Sequence, residues 1–418
     1  IGSLQACVIA GYPGSIASLR QQAGRAGRRS GTALTVWIAR SNSVEQYLVN
    51  HPDIVTGSSP EHARVNPENL FVLVDHVKCA AFEIPFEGTE SYAKLKLEDT
   101  HEVLSYLQTH GVLHESAGRY HWTQRVFPAS HVSLRGIDEE NFVVVDLKTD
   151  RVLAEVDFRS THTSLYLHAI YNCDGKQYQV ERLDYENHKA YVRPVEPDYY
   201  TTAMTYSRVA ILEEDESTSF ENHAVCHGDV LVTQKFVGFK KLKFHTNENV
   251  GYGDIELPDL EMHTTAMWLT LQSELLAQLE VDLATALDGL TALTHALHVT
   301  GTVRLMCTTR DIGRSIGDRS AETSLRLDER RSRFKADGNF EPTVFLYDNA
   351  PGGFGLAKEL YKRFDELLRQ AEELLTSCHC GAQGCPSCSG PMPTYDGAAK
   401  RAAIKLADLI RQQSSSVA

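Results

Sequence analysis

The stretch from Leu4 to Ala39, LQACVIAGYPGSIASLRQQAGRAGRRSGTALTVWIA, determines the fold class of the N-terminal part of the chain. Its two apolar runs, Leu4–Ala10 and Ala33–Ala39, have the length of buried strands, and a Gly-rich, partly helical segment separates them. The order strand, loop, helix, strand predicts an α/β domain. Because about forty residues cannot bury a core alone, we expect residues 1–60 to be the end of a larger α/β domain whose beginning lies upstream.

The segment QQAGRAGR (Gln21–Arg28) carries the chemistry of this stretch. On a helix, Arg25 and Arg28 are three positions apart and project to nearly the same side. The small residues between them keep the backbone close to a partner surface. A guanidinium group stays charged and binds phosphate oxygens with a planar fork. The pattern therefore predicts a helix that presents two arginines on one side; the alternative is a Gly/Arg-rich surface loop or an RNA-binding basic patch.

The composition is that of a globular, multidomain protein. The chain has 418 residues, 42% of them hydrophobic and 23% charged, and no apolar run approaches the ~18–20 residues that span a bilayer. Its 41 Lys and Arg against 55 Asp and Glu give a net charge of −14. This balance argues mildly against nucleic-acid binding, although one basic face can coexist with acidic surfaces elsewhere.

Cysteine usage predicts a reducing compartment and a metal site. Four of the nine cysteines crowd into one short segment, as Cys378, Cys380, Cys385 and Cys388. Four thiolates with this spacing can surround a tetrahedral ion, and zinc is favoured because all-thiolate sites are among its common structural sites. A [4Fe–4S] cluster stays open as the alternative. His379 could replace one thiolate, but we expect it to be exposed. The expected localisation is cytoplasmic.

The remaining chain divides by pattern into three further segments. Residues 61–135 predict a winged helix, with a helix from Pro67 to about Phe82, a second near 99–110, and a hairpin over 112–122. Residues 136–200 predict a small β-barrel from five short strands: Phe142–Leu147, Val152–Phe158, Tyr166–Tyr171, Gln177–Leu183 and Ala190–Val195.

Residues 201–418 predict a mixed α/β, metal-binding domain. The acidic run Glu213–Glu216 is typical of a solvated loop or a domain boundary. Strands are expected at Val230–Val237, Gly301–Cys307 and Thr343–Tyr347, and helices near 261–298, 355–376 and 396–413. The predicted fold class is thus α/β multidomain, with four segments.

Several motifs together resemble one protein family. QQAGRAGR resembles motif VI (Q-x-x-G-R-x-G-R) of superfamily 2 helicases. YDNAPGGFG (Tyr347–Gly355), followed by the cysteine cluster, resembles the MrfA-type zinc-binding domain that ends the DNA helicases typified by mitomycin repair factor A. HVKCA (His76–Ala80) and VGFKK (Val237–Lys241) are also similar to that family, with Phe239 where tyrosine is common. The resemblance covers essentially the whole chain.

The resemblance implies a function for each part. Residues 1–60 would end the second RecA-like motor domain, in which Gln21, Gly24, Arg25 and Arg28 face ATP and magnesium held by the other motor domain. The family implies an ATP-driven 3′→5′ DNA translocase that acts in repair, while some relatives serve in anti-phage defence. The sequence contains no Gly-x-x-x-x-Gly-Lys-Ser/Thr loop and no Asp-Glu-x-His box. We therefore expect this chain alone not to hydrolyse ATP.

Candidate DNA contacts lie in three places. Lys235, Lys240, Lys241 and Lys243 alternate with phenylalanines, and phosphate pairing with base stacking would suit single-stranded or forked DNA. The alternative is an ordinary strand with lysines outward and Phe236 and Phe239 in the core. In the hairpin, Arg119 and Trp122 would act as a strand-separating wedge, unless Trp122 packs in the core. A second basic run is Arg326–Lys335.

Two functions of other classes stay open. Asp311 and Asp348, each placed just past a predicted strand, could hold magnesium for a nuclease or phosphoesterase. The glycine-rich turn Gly352–Gly355 before a helix could receive a phosphate, or be a structural turn with a helix cap. The third possibility is a non-enzymatic scaffold that binds a partner through the small barrel. In any of these cases we expect a monomer.

Overall fold

The computed structural model describes residues 4–28, 32–57, 59, 66, 69–132, 141–319, 341–391 and 397–415. Two compact units make up the chain, and both are discontinuous in sequence. The first unit comprises Ile1–Asn66, Arg208–Val232 and Met262–Ala418, and the second comprises Pro67–Ser207 and Thr233–Glu261. The division into four segments by sequence stays a prediction. The basic run Arg326–Lys335 and Pro67 lie outside the described residues.

The strands of the described residues are numbered in chain order. They are β1 (Ala6–Ala10), β2 (Leu34–Ile38), β3 (Phe86–Glu87), β4 (Leu113–Ser116), β5 (Arg119–Trp122), β6 (Phe142–Asp146), β7 (Arg151–Val156), β8 (Ile170–Cys173), β9 (Lys176–Asp184), β10 (Lys189–Val195), β11 (Tyr199–Ser219), β12 (His223–Lys243), β13 (Asn249–Gly253), β14 (Leu260–Leu271), β15 (Ile312–Asp318) and β16 (Pro342–Asp348).

The helices are numbered in the same way. They are α1 (Ile16–Ala23), α2 (Ser43–Asn50), α3 (Pro52–Gly57), α4 (Leu70–Glu83), α5 (Leu97–Thr109), α6 (Phe158–Ser164), α7 (Ser273–Ala277), α8 (Leu283–Arg304), α9 (Leu356–Lys362), α10 (Phe364–Ser377), α11 (Pro386–Ser389) and α12 (Ala399–Ser415), with a 3-10 turn at Pro128–His131.

The first unit begins with the predicted strand–helix–strand segment. β1 and β2 pair in parallel, from Ala6 opposite Leu34 to Ala10 opposite Ile38. Between them α1 starts at the Ser15 cap, whose hydroxyl accepts a hydrogen bond from the Ser18 N–H. The strand pair leaves large apolar side chains in solvent, including Val8 at 65% and Leu34 at 62% exposure.

The core of the first unit lies between one sheet and a layer of helices. The sheet order is β11-β12-β14-β16-β15. α8 is apolar on all sides, and residues over its whole length are buried against α10 and α12. A smaller cluster around Trp268 and Phe345 forms the other apolar layer of the sheet.

Three predictions for this region were wrong. The segment 261–271, predicted helical, is β14, because its β-branched threonines and apolar run pair with β16. Gly301–Cys307, predicted as a strand, forms the end of α8 and the turn after it. Glu213–Glu216 lies within β11 instead of a loop, and a terminal strand of a sheet accommodates such exposed carboxylates.

The winged-helix prediction is confirmed in the second unit. α4 and α5 pack with a three-stranded sheet of order β3-β5-β4. α4 begins at Leu70, where the Asn69 side chain accepts hydrogen bonds from the N–H groups of Phe71 and Val72. The wing is the predicted hairpin β4–β5, and its two-residue turn places Ala117 and Gly118 at positive φ.

The predicted barrel is instead an open sheet. Five strands form a sheet of order β7-β6-β10-β9-β8, in which β10 and β6 run parallel. The end strands β7 and β8 do not pair with each other in the described part of the chain. Residues 158–164 leave the strand pattern and form α6, capped by the Asp157 side chain. Phe236 and Phe239 of β12 complete the core of this sheet.

Candidate functional site

The four clustered cysteines meet at one point in the first unit. Their sulfur atoms all lie within 4.8 Å of one another. The Sγ–Sγ distances are 3.7 Å for Cys378–Cys385, 3.5 Å for Cys380–Cys388 and 3.7 Å for Cys385–Cys388. Four ligands at the Zn–S bond length of about 2.3 Å in a tetrahedron stand about 3.8 Å apart. The sulfur set therefore fits one tetrahedral ion.

The same distances discriminate between the two predicted groups. In a [4Fe–4S] cluster each thiolate binds a different iron, so the cysteine sulfurs stand farther apart than around a single ion. The compact arrangement favours zinc. His379 is exposed, as expected, and takes no part in the cluster.

Local structure explains how the cysteines converge. Cys378 follows the last residue of α10, Cys385 caps α11, and Cys388 lies within α11. The turn between them requires Gly384, whose φ is +88° and where a Cβ would come within 2.1 Å of Ser389 Oγ. Lys400 of α12 is 7% exposed. Its ammonium group lies 3.6 Å from Cys380 Sγ and donates to the carbonyl of Cys378, so it offsets part of the thiolate charge.

Burial weakens the acidity of two of the cluster thiols, Cys380 and Cys388. It raises the pKa of Cys380 to about 12 and also raises the pKa of Cys388. Burial opposes ionisation of Cys385 as well, but hydrogen bonds to its sulfur from the backbone N–H groups of Cys388 and Ser387 lower its pKa. A bound zinc ion must displace the protons, which makes its binding pH-dependent.

The two motif arginines lie beyond the helix on which they were expected. α1 ends at Ala23 with Gly24 as its cap, and Arg25 and Arg28 follow in turns. The prediction that they share a helix face was wrong, because Gly24 and Gly27 break the helix and Gly27 takes a φ of +75°. The Gly27 N–H donates to the Leu4 carbonyl at 2.8 Å. Gln21, Gly24, Arg25 and Arg28 are all exposed.

In β12, which carries the lysine cluster, the lysines point outward and the phenylalanines point into the core, as in the alternative interpretation of this segment. Lys235 and Lys240 are exposed, while Phe236 and Phe239 are 3% and 2% exposed and pack in the core. These two rings are not free to stack on bases. Lys241 lies 5.5 Å from the centre of the Tyr199 ring, and Lys243 pairs with Glu248 at 3.3 Å.

The hairpin residues are already engaged within the winged helix. Arg119 forms an ion pair with Glu87 at 2.6 Å on the surface. Trp122 is partly buried and meets Phe82 edge-to-face at 6.2 Å between ring centres. This contact favours the core role of Trp122 over the role of a wedge.

Asp348, which was considered as a magnesium ligand only in an alternative interpretation, caps a helix. Asp348 is fully buried, and its Oδ2 accepts backbone N–H groups of Phe354, Gly355 and Leu356 at 2.5, 2.8 and 3.1 Å. Its Oδ1 accepts the N–H of Ala357 at 2.8 Å. Burial, the largest effect, raises the pKa of Asp348 above its ordinary value, and the hydrogen bonds from these four N–H groups offset part of that rise.

This geometry removes two alternatives. The Asp348 carboxylate is fully buried and accepts these four N–H groups and the Thr265 hydroxyl, so it is committed to the protein and is not presented to an ion, which argues against the alternative of a nuclease or phosphoesterase site at Asp311 and Asp348. Asp311 in turn accepts the Thr308 N–H at 2.6 Å, and it precedes β15 instead of following a strand. The turn Gly352–Gly355 is not a phosphate site either, because Asp348 already occupies the N–H groups at the start of α9.

A polar cavity in the first unit was missed by sequence reasoning. It measures about 570 Å³ and lies beside α2, α8 and the turn before β15. Arg40, Arg310 and Arg314 line it together with Ser43, His295 and His298. Burial, with the charge of Arg314 second, lowers the pKa of His295 to about 3 and of His298 to about 4, so both are neutral. Sequence gives little sign of it, because Ser43 and His295 are 252 positions apart.

None of the helices in the described part of the chain has the length and hydropathy that a bilayer crossing requires. Two family models match the chain. Residues 293–389 match the MrfA Zn-binding domain, and residues 65–137 match the winged-helix domain of the ATP-dependent helicase HRQ1. The first match includes the four cysteines, and the second coincides with the winged helix of the second unit.

Similar whole proteins are helicases. The chain is 42% identical over 393 residues to the uncharacterized ATP-dependent helicase YprA of Bacillus subtilis, covering 93% of this chain and 49% of that protein. It is 26% identical over 397 residues to the ATP-dependent helicase hrq1 of Schizosaccharomyces pombe, covering 93% of this chain and 36% of that protein. The chain thus spans about half the length of YprA and about a third of hrq1.

Solved structures give the same relationship. A crystal structure of the helicase MrfA bound to DNA matches with a TM-score of 0.60 and 41% identity, covering 98% of this chain and 52% of that chain. A second crystal structure of the helicase MrfA matches with a TM-score of 0.62 and 37% identity, over 97% of this chain and 54% of that one.

Proposed function

Because the chain belongs to the family of MrfA-like helicases, we propose that it is the accessory half of an ATP-dependent 3′→5′ DNA helicase or translocase. Residues 1–60 would be the end of the second RecA-like motor domain, and the zinc ion would hold the C-terminal helices together. The relatives named above are ATP-dependent helicases, and one was crystallised with DNA. The other motor lobe would bind the ATP phosphates and magnesium. It would belong to the same polypeptide, because the motifs for this binding are absent from the present sequence.

The observation that carries the proposal is the exposure of Arg25 and Arg28 beside an incomplete sheet. Neither guanidinium forms an ion pair with a carboxylate of the described residues, and Arg28 Nε donates only to the Gly24 carbonyl at 3.4 Å. The neighbouring parallel strand pair leaves Val8, Leu34 and Ile38 more than half exposed. Two arginines without an ion pair, next to an exposed apolar surface, are what we expect of a surface that the other motor domain covers in the complete protein.

In this proposal the arginines act by electrostatics. Arg25 and Arg28 would contact the γ-phosphate of ATP held by the other lobe, with Gln21 and Gly24 at the same edge. Charge that develops on the transferred phosphoryl group is stabilised by a fixed guanidinium, an effect of about 10³–10⁵ in kcat. Their position in turns instead of a helix leaves this role intact, because both side chains remain outside the core.

DNA contacts would come from charge more than from stacking. Lys235 and Lys240 are exposed and suit the backbone phosphates of single-stranded or forked DNA, with Lys241, Lys243 and Arg119 nearby in sequence or on the wing. Wedge action by Trp122 has less support, since its ring packs on Phe82. The cellular setting would be repair of damaged DNA by a cytoplasmic monomer.

A chimeric protein tests the proposal. This chain is joined to the part of YprA that it does not align with, and DNA-stimulated ATPase and strand separation are measured. We expect activity in the chimera, and a fall in kcat of at least about 100-fold for Arg25→Ala and Arg28→Ala, with little change in DNA affinity.

The matched control is Arg369→Ala, which removes an exposed arginine of α10. A chimera with normal zinc content and DNA binding whose ATPase is indifferent to Arg25 and Arg28 would contradict the proposed role of these residues.

A further inference from the structure

The cavity beside α2 and α8 has an excess of positive charge. Three of its lining residues are arginines (Arg40, Arg310 and Arg314), against one carboxylate, Glu45. Both oxygens of Glu45 are already engaged, by the Arg40 backbone N–H at 2.7 Å and the Asn42 side-chain N–H at 2.6 Å. Burial alone would raise the pKa of Glu45, but these bonds lower it. Glu45 also attracts the Arg40 side chain, so the charges of Arg310 and Arg314 are the ones that no carboxylate of the described residues pairs with in this cavity.

Arg314 is the least solvated of the three arginines. Its guanidinium donates through Nη1 to His295 Nδ1 at 2.5 Å, and no carboxylate of the described residues lies within ion-pair distance of it. Because His295 Nδ1 accepts this bond, its proton resides on Nε2, which donates to Ser43 Oγ at 2.6 Å. Ser43 Oγ donates onward to the Pro386 carbonyl at 3.2 Å. This chain of bonds fixes Arg314 in place, and within the described residues its charge has no carboxylate as counter-ion.

A partly buried cation that no carboxylate of the described segments neutralises suits an anion-binding position. The arginine fork matches the oxygens of a phosphate, and the Arg40 and Arg310 side chains are exposed at the same cavity. The backbone N–H of Thr308 is taken by Asp311, but the hydroxyls of Thr308 and Thr309 also line the space. A volume of about 570 Å³ exceeds a bare phosphate and accommodates a nucleotide unit.

We propose that this cavity binds a phosphate ester through Arg310, Arg314 and Arg40. Two sources have this chemistry: a backbone phosphate of a nucleic-acid strand, and the phosphate of a free nucleotide. The residues are separate from Gln21–Arg28, so the site is a second phosphate-binding position and does not depend on the arginines assigned to ATP.

The test measures two ligands on the full 418-residue chain. Fluorescence anisotropy of a labelled oligothymidylate gives DNA affinity over a range of salt concentrations. Calorimetry with thymidine monophosphate gives free-nucleotide binding, and thymidine serves as the phosphate-free ligand. The variants are Arg310→Gln at the exposed rim and Arg314→Gln inside, with Arg369→Gln on α10 as the charge-matched control; zinc content and Tm report folding.

Each source predicts a different pattern. If a strand phosphate enters the cavity, Arg310→Gln weakens DNA binding about tenfold and reduces the salt slope of log K by about 0.7, while Arg369→Gln does neither. If a free nucleotide is the ligand, thymidine monophosphate binds the wild type, thymidine does not, and both cavity variants lose binding with the DNA slope unchanged. Should Arg314→Gln misfold, Arg310→Gln alone decides.

The proposal is overturned if thymidine monophosphate does not bind and the DNA affinity and salt slope of Arg310→Gln equal those of Arg369→Gln. The outcome is separable from that of the proposed helicase function. An inactive chimera would leave the nucleotide titration readable, and a negative titration would leave the ATPase of the chimera unaffected.

Discussion

Asp348 shows how one residue can have the sequence context of a catalytic group and the structural role of a brace. It ends a buried strand of an α/β sheet, where ligands often bind. Its two oxygens are nevertheless filled by four backbone N–H groups at the start of α9. The sequence Tyr347–Gly355 predicted a strand followed by a Gly-rich turn correctly. It did not reveal that the turn folds back onto its own aspartate.

This assignment gives a first prediction. Asp348→Asn replaces a four-fold acceptor by a group whose NH₂ faces a backbone donor, so the free energy of unfolding should fall by about 3 kcal/mol. Urea denaturation followed by tryptophan fluorescence measures the change.

Asp282→Asn is the matched control, since Asp282 caps α8 from an exposed position and accepts the Thr285 N–H. Its loss should be about 1 kcal/mol or less. Equal effects at the two aspartates would contradict the bracing role of Asp348.

At the scale of elements, the parts that sequence predicts best are those whose determinants lie close together. The hairpin β4–β5, the helix α12 and the four-cysteine site each depend on residues within a short segment. β14 and the end of α8 were predicted wrongly, because apolar runs read equally well as strand or helix and their partners decide. The contacts of Arg314 with His295 and of His295 with Ser43 connect different segments of the chain. No local sequence pattern predicts these contacts.

The zinc site predicts a link between metal, pH and helix packing. Chelation at neutral pH should lower the Tm and loosen α10 and α12, because Cys378, Cys385 and Cys388 position both through the bound ion. Burial raises the pKa of Cys380 to about 12, so its thiol must release a proton when it becomes a zinc ligand. Zinc affinity should therefore fall as the pH is lowered.

The measurements are zinc release with a chromophoric chelator at several pH values, and the Tm with and without metal. Cys385→Ser should match the metal-free Tm. Cys307→Ser, at a cysteine outside the cluster, should retain both zinc and stability. A stoichiometric iron content, or a Tm unaffected by chelation, would contradict the structural zinc.

At the scale of the whole molecule, the chain contains only some of the residues that an ATP site needs. Under the proposed function, the arginines that would complete an ATP site lie here, whereas the motifs that cradle the phosphates are absent from the sequence. Purified chain should consequently show no ATP turnover, with or without single-stranded DNA, in a coupled phosphate-release assay. Turnover that disappears in Arg25→Ala but persists in Arg369→Ala would disprove this.

The overall division of the chain shows what sequence patterns do not encode. Compositional boundaries suggested four consecutive segments, whereas the compact units are interleaved, and β11 and β12 contribute residues to both. β11 and β12 each have 21 residues, and nothing in their own sequence indicates which half of the strand belongs to which compact unit. That information resides in distant partners such as Tyr166, which packs on Phe239 at 5.0 Å between ring centres.

The helix cap formed by Asp348 also limits which substitutions this part of the protein can accept during evolution. Gly353 and Gly355 hold positive φ values, and a Cβ on Gly353 would come within 2.5 Å of Thr265 Oγ1 and 3.0 Å of Asp348 Oδ2. A glutamate in place of the aspartate would be one methylene too long for the same four donors. Neutral change can therefore accumulate at the exposed Phe354, but the aspartate and its two glycines must be inherited together.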